Sequence, residues 1–442
     1  MVPETLTFEE LSNGVLLVID RDVAAPSAAL GFFLRVGSRD EGPAEWGAAH
    51  FVEHLAFKGA GPWDRMALAL EMARLGGDIN AYTTRELTCF HAHVLERDLG
   101  AAFHLLWALV TAPHFDADAI SPERAVVREE LSDALDDPED RVDQAFLEAL
   151  WGADPVAREV LGSRATLARL GRSRLRSFWE THYRPGALAV VIAGRPDAAT
   201  EHTIRSLLAG WAPAAPPPPA RVEPKPVGGT RRVAMPGDRA HVIVGWPAPP
   251  WTDPASSAMR VLAVAFGGQN SSRLWQRIRE QEGLAYQVGA SYDGQSDHAD
   301  FTVTATVTPA RLDHALTLMG AEWRALADTP LTDDEVERSR TQLEAALVFG
   351  LETVEGRMHW HGRSALDRRV PARLDEALTE LRRVTPDAVR EAASALQHPQ
   401  VPMAVGLAAP RRTGAVDVAA RFQGPLQAAV APQAPDEPES AQ

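Results

Sequence analysis

Apolar positions that recur every two residues, or about every 3.6 residues, divide the chain into a succession of strands and helices. In the first half, short apolar or alternating runs predict five strands, and longer periodic runs predict six helices. The predicted strands are Val15–Asp20, Ala28–Val36, Ile79–Thr83, Thr88–Val94 and Leu188–Ala193. The predicted helices are Ala44–Phe57, Trp63–Leu75, Leu95–Thr111, Ser121–Leu135, Val142–Leu150 and Thr166–His182.

The second half repeats this order of strands and helices. Its predicted strands are Arg232–Met235, Val242–Trp246, Ala285–Tyr292 and Asp300–Val307. Its predicted helices are Pro254–Ala265, Ser272–Glu282, Arg311–Ala327 and Asp333–Leu351. Strands and helices in this non-alternating order predict an α+β fold with two homologous domains, each a mostly antiparallel sheet with helices packed on one face.

Proline marks the boundary between the halves. The segment from Trp211 to Val227 is rich in proline, which predicts a stiff, extended linker. The last residues are rich in Pro, Ala and acidic side chains and predict disorder. We therefore predict a first domain over residues 1–212, a linker over 213–227, a second domain over 228–424 and a disordered tail over 425–442.

Composition narrows the classes of function. The net charge of −16 argues against nucleic acid as a partner, because phosphate binding needs clustered Lys and Arg. No apolar run is long enough to span a bilayer, and residues 1–10 lack the pattern of a secretory signal, so no membrane partner is expected. The single cysteine, Cys89, excludes an intrachain disulfide and fits a reducing compartment. A cytoplasmic location is predicted.

The first candidate chemistry lies in the predicted helix Ala44–Phe57. His50, Glu53 and His54 form a His-x-x-Glu-His pentamer, and residues three and four apart share one face of a helix. Two imidazoles and a carboxylate on one face can supply two zinc ligands and a general base. The alternative is a surface helix with two solvated histidines. Apolar neighbours on most sides of the helix favour burial, and buried His and Glu need partners.

A catalytic zinc site needs a third protein ligand, and the predicted helix Ser121–Leu135 offers three carboxylates. Glu123 and Glu130 are seven residues apart and share a face, whereas Glu129 points about 100° away. A solvated acidic face is the alternative for Glu129 and Glu130.

The two segments together resemble the pitrilysin and insulin-degrading-enzyme family of inverted-motif metallopeptidases, in particular its half-length branch that includes the mitochondrial processing peptidases. The resemblance implies that one Zn²⁺ per chain is bound by His50, His54 and Glu130, and that Glu53 is the general base. It also implies that Glu123 is an auxiliary catalytic carboxylate. The chain would form half of a clam-shell.

Further segments extend the resemblance over most of the chain. Residues 76–83, with Asn80 and Ala81, resemble the family's edge strand that binds substrate by main-chain pairing. In the second half, Arg279 and Tyr286 match the family's pair that reaches the substrate and its scissile carbonyl. A shift of the zinc motif by 214 residues falls on Val264, Gly267 and Gly268, which cannot bind a metal through side chains and leave the second half without a site. Two further histidine pairs are interpreted as structural: His91 with His93, and His359 with His361.

These features predict a zinc-dependent endopeptidase that hydrolyses peptides or unfolded polypeptide segments. The family encloses its substrates in a chamber of four such domains, with the Arg and Tyr pair reaching the zinc from the opposite half. Because this chain carries both parts, the resemblance implies a homodimer, with a heterodimer with a related chain also possible. The alternative function is a non-catalytic or partner-dependent subunit of a processing peptidase or scaffold complex.

Overall fold

The computed structural model of the chain describes residues 6–22, 24–212, 219–414, 417–418 and 422. In the first half, eight strands are present: β1 (Leu6–Glu10), β2 (Leu16–Arg21), β3 (Ser27–Leu34), β4 (Gly59–Ala60), β5 (Trp63–Asp64), β6 (Asp78–Thr83), β7 (Thr88–Leu95) and β8 (Leu188–Gly194). Eight helices accompany them: α1 (Ala48–Ala56), α2 (Arg65–Leu75), α3 (Leu99–Thr111), α4 (Ala117–Asp136), α5 (Pro138–Trp151), α6 (Arg164–Leu167), α7 (Arg172–His182) and α8 (Ala198–Ala209).

The second half is built in the same way from fewer strands. Its strands are β9 (Gly229–Ala234), β10 (Ala240–Ala248), β11 (Ala285–Gly294), β12 (Ala299–Val307) and β13 (Ala404–Ala409). Its helices are α9 (Ser256–Ala263), α10 (Leu312–Asp328), α11 (Asp333–Gly350), α12 (Val354–Arg368), α13 (Leu374–Arg382) and α14 (Pro386–Leu396).

Each half contains one main sheet. Six strands of the first half pair in the order β1-β2-β8-β3-β7-β6, and the five strands of the second half pair in the order β11-β12-β10-β13-β9. Only β2 with β8, and β13 with β9, run parallel. The predicted α+β fold with two mostly antiparallel sheets is therefore confirmed.

The main helical layer covers one face of each sheet, as predicted, because alternate strand residues on that face are apolar and buried. In the first half Phe32 packs there against Phe103 of α3, and Phe90 belongs to the same buried cluster. In the second half Trp246 of β10 stacks on Trp323 of α10 with ring centroids 4.5 Å apart.

The opposite face of each sheet is covered by one helix from the other half, which the sequence pattern did not predict. Helix α12 of the second half packs on β2, β3 and β8, where Met358 joins a cluster with Phe33 and Cys89. Helix α5 of the first half packs on β9, β10 and β13, where Phe146 contacts the second sheet. The two halves are joined by this exchange as well as by the linker.

Several predicted helices differ from the observed ones. Helix α1 begins at Ala48 rather than Ala44, because Gly47 adopts a left-handed conformation with φ of 93°. The helix predicted over Thr166–His182 is two helices, α6 and α7, with residues 168–171 between them. The helix predicted over Ser272–Glu282 is a π-helical turn at Trp275–Gln281. Elements β1, β4, β5, α8, α12, α13, α14 and β13 were not predicted, and β5 occupies the first two residues of the helix predicted over Trp63–Leu75.

The predicted linker is only partly described. Residues 219–227 form no regular secondary structure, and Arg221 is held by Asp40 with a shortest distance of 2.7 Å. Residues 213–218 and the predicted tail over 425–442 lie outside the described residues. The domain boundaries stay predictions.

Candidate metal centre

The N-terminus of α1 is fixed by a buried carboxylate. Glu41 accepts hydrogen bonds from the backbone N–H groups of Gly47 and Ala49 at 2.8 and 2.7 Å. Burial raises the pKa of Glu41 to about 8, against the opposing effect of these two N–H groups and of Arg158. The first orphan donors of the helix are thereby satisfied, and the helix that carries the histidine pentamer starts at a defined residue.

Three predicted metal ligands come together. On α1 the rings of His50 and His54 have centroids 4.4 Å apart. Glu130 of α4 lies opposite, with Oε2 3.4 Å from His54 Nε2 and 3.9 Å from His50 Nε2. One potential ligand atom from each of the three residues lies within 4.8 Å of the others. Glu129, the other carboxylate considered, is exposed on α4.

The polar atoms at this place fit a cation. Within the described chain, the buried Oε2 of Glu130 and Nδ1 of His50 have no hydrogen-bond partner. Burial, with a further contribution from His54, lowers the pKa of His50 to about 3. His50 is therefore a neutral imidazole, the form that binds metals. Two imidazoles and one carboxylate are a common ligand set of catalytic zinc.

Glu53 lies on α1 and is held by a contact with β6. It is 7% exposed, and its Oε2 accepts a hydrogen bond of 2.6 Å from the Thr83 hydroxyl at the end of β6. Burial raises the pKa of Glu53, whereas the bond from Thr83 opposes that shift. A carboxylate with a raised pKa beside a metal is suited to accept a proton near neutral pH.

Glu123 and Glu130 of α4 contact different ring nitrogens of His54. Its Oε1 lies 2.8 Å from Nδ1 of His54, and its Oε2 lies 2.8 Å from Nζ of Lys58. It thus contacts the ring nitrogen that points away from Glu130, the position of a residue that orients a ligand. Lys58 was not predicted to belong to the site. Its position four residues after His54 was the signal that could have found it.

Asn80 and Ala81 lie in β6, an edge strand of the first sheet. The α1-facing residues of this strand are Ile79, Ala81 and Thr83, and by alternation the side chain of Asn80 points to the opposite face. Asn80 Oδ1 accepts a hydrogen bond from the N–H of Ala81 at 2.9 Å. One edge of β6 is free for main-chain pairing within the described sheet.

Arg279 and Tyr286 lie together on the second half. The Arg279 guanidinium donates to the Tyr286 carbonyl oxygen and lies over the Trp275 ring at 4.3 Å and over the Tyr286 ring at 5.5 Å. Tyr286 is 67% exposed. No contact in the described residues links this pair to His50, His54 or Glu130.

Comparison with known families accounts for both halves. The sequence profile described as Insulinase (Peptidase family M16) matches residues 16–164, and the profile described as Peptidase M16 inactive domain matches residues 169–343. Together they cover well over half of the chain. The chain belongs to peptidase family M16. The predicted membership of the pitrilysin and insulin-degrading-enzyme family is thereby confirmed.

Relatives of this M16 chain carry zinc protease names. A protein of Streptomyces coelicolor named an uncharacterized zinc protease is 35% identical over 393 residues, which cover 87% of this chain and 85% of the relative. One of Mycobacterium tuberculosis with the same description is 35% identical over 392 residues, with 87% and 89% covered. The zinc protease YmxG of Bacillus subtilis is 28% identical over 374 residues, with 84% and 91% covered. These names support zinc and a metallopeptidase at the level of the family.

Solved structures support the M16 fold. A structure from Pseudomonas fluorescens titled as a peptidase M16 inactive domain superposes with a TM-score of 0.85 at 16% identity, covering 93% of this chain and all of that one. A protease from Helicobacter pylori superposes with a TM-score of 0.84 at 18% identity, with 92% and 99% covered. The expected half of a clam-shell is consistent with these neighbours. Among the described residues, no helix is both long and apolar enough to cross a membrane.

The second half of this M16 chain has no counterpart of the metal centre. Val264, Gly267 and Gly268 lie in a π-helical turn after α9 and offer no metal-binding side chain. The described chain has a second group of potential ligands, Glu86, Asp297 and His298. Both of its carboxylates already pair with the guanidinium of Arg39.

The two other histidine pairs form no metal-binding group with nearby Asp, Glu or Cys in the described residues. His91 and His359 instead contact each other edge to face, with ring centroids 5.6 Å apart.

Proposed function

We propose that the chain is a zinc-dependent endopeptidase that hydrolyses peptides or unfolded polypeptide segments. The observation that carries the proposal is that potential ligand atoms of His50, His54 and Glu130 lie within 4.8 Å of one another. Glu53 lies on α1 between the two histidines. We propose one Zn²⁺ per chain, bound by the first three residues. The second half repeats the fold without the ligands.

Each residue has a separate task in the proposed reaction. Zinc at this place would act as a Lewis acid on the carbonyl and make water a stronger nucleophile near neutral pH. Glu53 takes the proton of the attacking water and passes it to the leaving amine. The main chain at Asn80 and Ala81 pairs with the substrate as an added strand, which binds a backbone with little demand on its sequence.

The exposed pair on the second half completes the proposed site in a second copy of the chain. Arg279 and Tyr286 present a guanidinium and a phenol to solvent, and such groups stabilise a carbonyl oxygen as it gains negative charge. We therefore propose a C2 homodimer in which each Arg and Tyr pair serves the metal centre of the partner. We also propose a cytoplasmic location, because the single cysteine, Cys89, is buried and free and fits a reducing compartment.

The function is tested with the Glu53→Gln variant. Zinc content is measured by atomic absorption, and cleavage of a mixed peptide library is followed by mass spectrometry with and without a chelator. We expect the variant to keep stoichiometric zinc and to lose at least about 10²-fold in kcat, because the proton acceptor is gone. Full activity of zinc-loaded Glu53→Gln would refute the mechanism.

The same variant tests the assembly when it is mixed with Tyr286→Phe. The Tyr286→Phe dimer should lose about 10²–10³-fold in kcat, as expected for one lost oxyanion donor. In a mixed dimer, one site combines an intact Glu53 with an intact Tyr286 from the partner, so activity should return. If mixed dimers do not recover activity, Tyr286 does not act on the metal centre of the partner. An inactive monomer that becomes active only with a different polypeptide would support the partner-dependent alternative.

A further inference from the structure

A single ammonium group reaches the side of the metal centre that faces away from Glu130. Lys58 follows α1, one turn beyond His54, and its Nζ lies 2.8 Å from Glu123 Oε2. The other oxygen of the same carboxylate lies 2.8 Å from His54 Nδ1. Glu123 therefore bridges a lysine and a histidine, with one oxygen for each.

Both contacts of Glu123 are sheltered from solvent. The Glu123 side chain is 7% exposed, and those of His54 and Lys58 are 15% and 29% exposed. Charged groups interact more strongly where water is partly excluded. Without the Lys58 ammonium group, the buried Glu123 carboxylate would keep only His54 as a partner out of these two residues. The carboxylate could then rotate away from His54.

The chain's use of basic residues makes Lys58 unusual. Lys58 and Lys225 are the only lysines in the sequence, and the rest of its 44 Lys and Arg residues are arginines. Lys225 is exposed in the segment between the halves. A guanidinium tends to bind both oxygens of a carboxylate as a fork, whereas an ammonium is a point donor. At position 58 the point donor occupies one oxygen and leaves the other for His54.

We propose that Lys58 is a positioning residue of the metal centre that acts through Glu123 on His54. This inference rests on the proposed function, because it takes His54 as a zinc ligand. With Oε2 held by Lys58, Oε1 accepts the hydrogen of His54 Nδ1, and the lone pair of Nε2 is directed toward Glu130 and His50. Loss of such supporting partners typically weakens metal binding by about 10–100-fold.

The test compares zinc dissociation constants, measured by competition with a chromophoric chelator. Lys58→Met should weaken zinc binding by about 10–100-fold. Lys225→Met is the matched control, since Lys225 is exposed and forms no described ion pair, and its affinity for zinc should equal that of the unmodified protein. Melting of the metal-free proteins shows whether Lys58→Met is folded. If Lys58→Met does not fold, the Lys58→Gln variant is measured in its place.

A double-mutant cycle with Glu123→Gln separates positioning from a general structural effect. If Lys58 acts through the carboxylate, its substitution in the Glu123→Gln background should change zinc affinity by less than about 2-fold. The proposal is overturned if Lys58→Met binds zinc as tightly as the unmodified protein, or if its loss of affinity is equal in both backgrounds. An unmodified protein that binds no zinc would refute the proposed function itself, and this inference with it.

Discussion

At the scale of single residues, the geometry of the metal centre depends on how α1 begins. Gly47 precedes the helix with φ of 93°, and a Cβ at this position would lie 3.0 Å from Gly162 Cα and 3.0 Å from the Leu161 carbonyl oxygen. A residue with a side chain would be strained by the left-handed conformation, and its Cβ would also contact the backbone of residues 161–162. The residue that precedes α1, three positions before His50, is therefore required to be glycine.

A non-glycine residue in the left-handed conformation costs about 1–2 kcal/mol. Gly47→Ala is expected to destabilise the fold by more than this, because its Cβ would also contact residues 161–162. Gly76→Ala is the matched control, because Gly76 has φ of 62° but no atom within 4 Å of its Cβ position. Urea unfolding of both variants measures the difference. Equal destabilisation would show that the contact with residues 161–162 contributes nothing to the start of α1.

The residue-level predictions succeeded where spacing along one helix decides which side chains meet. The i, i+4 spacing placed His50 beside His54, and the seven-residue spacing placed Glu123 and Glu130 on the same side of α4. Spacing could not distinguish which carboxylate would contact which nitrogen of His54. The spacing of four residues from His54 could have pointed to Lys58, but its contact with Glu123 could not be predicted, because Glu123 lies on another helix and their distance depends on how α1 packs against α4.

At the scale of elements, the hairpin that ends the proposed substrate strand is held by a buried ion-pair network between the halves. Glu86, in the turn between β6 and β7, pairs with Arg39 and accepts hydrogen bonds from the N–H and hydroxyl of Ser296 at 2.8 and 2.9 Å. Arg39 also binds both oxygens of Asp297 at 2.8 and 2.9 Å. The turn between β11 and β12 thus fixes the turn beside β6.

Loss of the Arg39 guanidinium should destabilise the fold, because the Arg39 and Glu86 side chains are only 3% and 7% exposed. Arg39→Met is expected to lower the free energy of unfolding at neutral pH by about 3 kcal/mol, the lower end of the cost of breaking a buried ion pair. The cost is not larger because Glu86 keeps Arg221 at 3.8 Å and Asp297 keeps His298 at 2.8 Å. Arg176→Met is the control: it breaks a pair with Glu180 that is 56% and 38% exposed, and should change stability little.

The stability that Arg39→Met loses relative to the unmodified protein should depend on pH. Burial alone would raise the pKa of Glu86 and of Asp297, but charged and hydrogen-bonding partners, Arg39 among them, lower both below their ordinary values. Groups with a lowered pKa stabilise the fold above their unfolded pKa of about 4, and this contribution is lost as pH falls below it. The stability gap between Arg39→Met and the unmodified protein should therefore narrow in urea titrations from pH 7 to pH 3.5. A constant gap would contradict the role of these carboxylates.

The sequence predicted elements well where apolar residues are dense and mostly buried, as in β3, β7 and α3. Prediction failed where tertiary contacts decide the structure. Helix α12 combines His359, Trp360 and Arg357 with few aliphatic residues, yet it is held on the first sheet by contacts from a distant part of the chain. The contact between Arg39 and Asp297 joins residues 258 positions apart, which no local pattern could predict.

At the scale of the whole molecule, the exchange of α5 and α12 makes each half a support for the other. Helix α12 covers one face of the first sheet, including Phe33, and α5 covers one face of the second sheet. A fragment that lacks its supplied helix would expose an apolar sheet face, which favours aggregation. The two family-matching halves are thus expected to fold as one unit despite the proline-rich segment between them.

This expectation is testable with two fragments, residues 1–212 and 219–442. Each fragment expressed alone is expected to be insoluble or to bind a hydrophobic dye, because one face of its sheet lacks its helix. When they are co-expressed, the fragments should co-purify in a 1:1 complex and melt in one calorimetric transition, since each supplies the helix that the other needs. As a control, Phe146→Asp in the first fragment places a charge between α5 and the second sheet and should abolish co-purification. Two fragments that are separately soluble and well folded would show that the exchanged helices are dispensable and that the halves are independent domains.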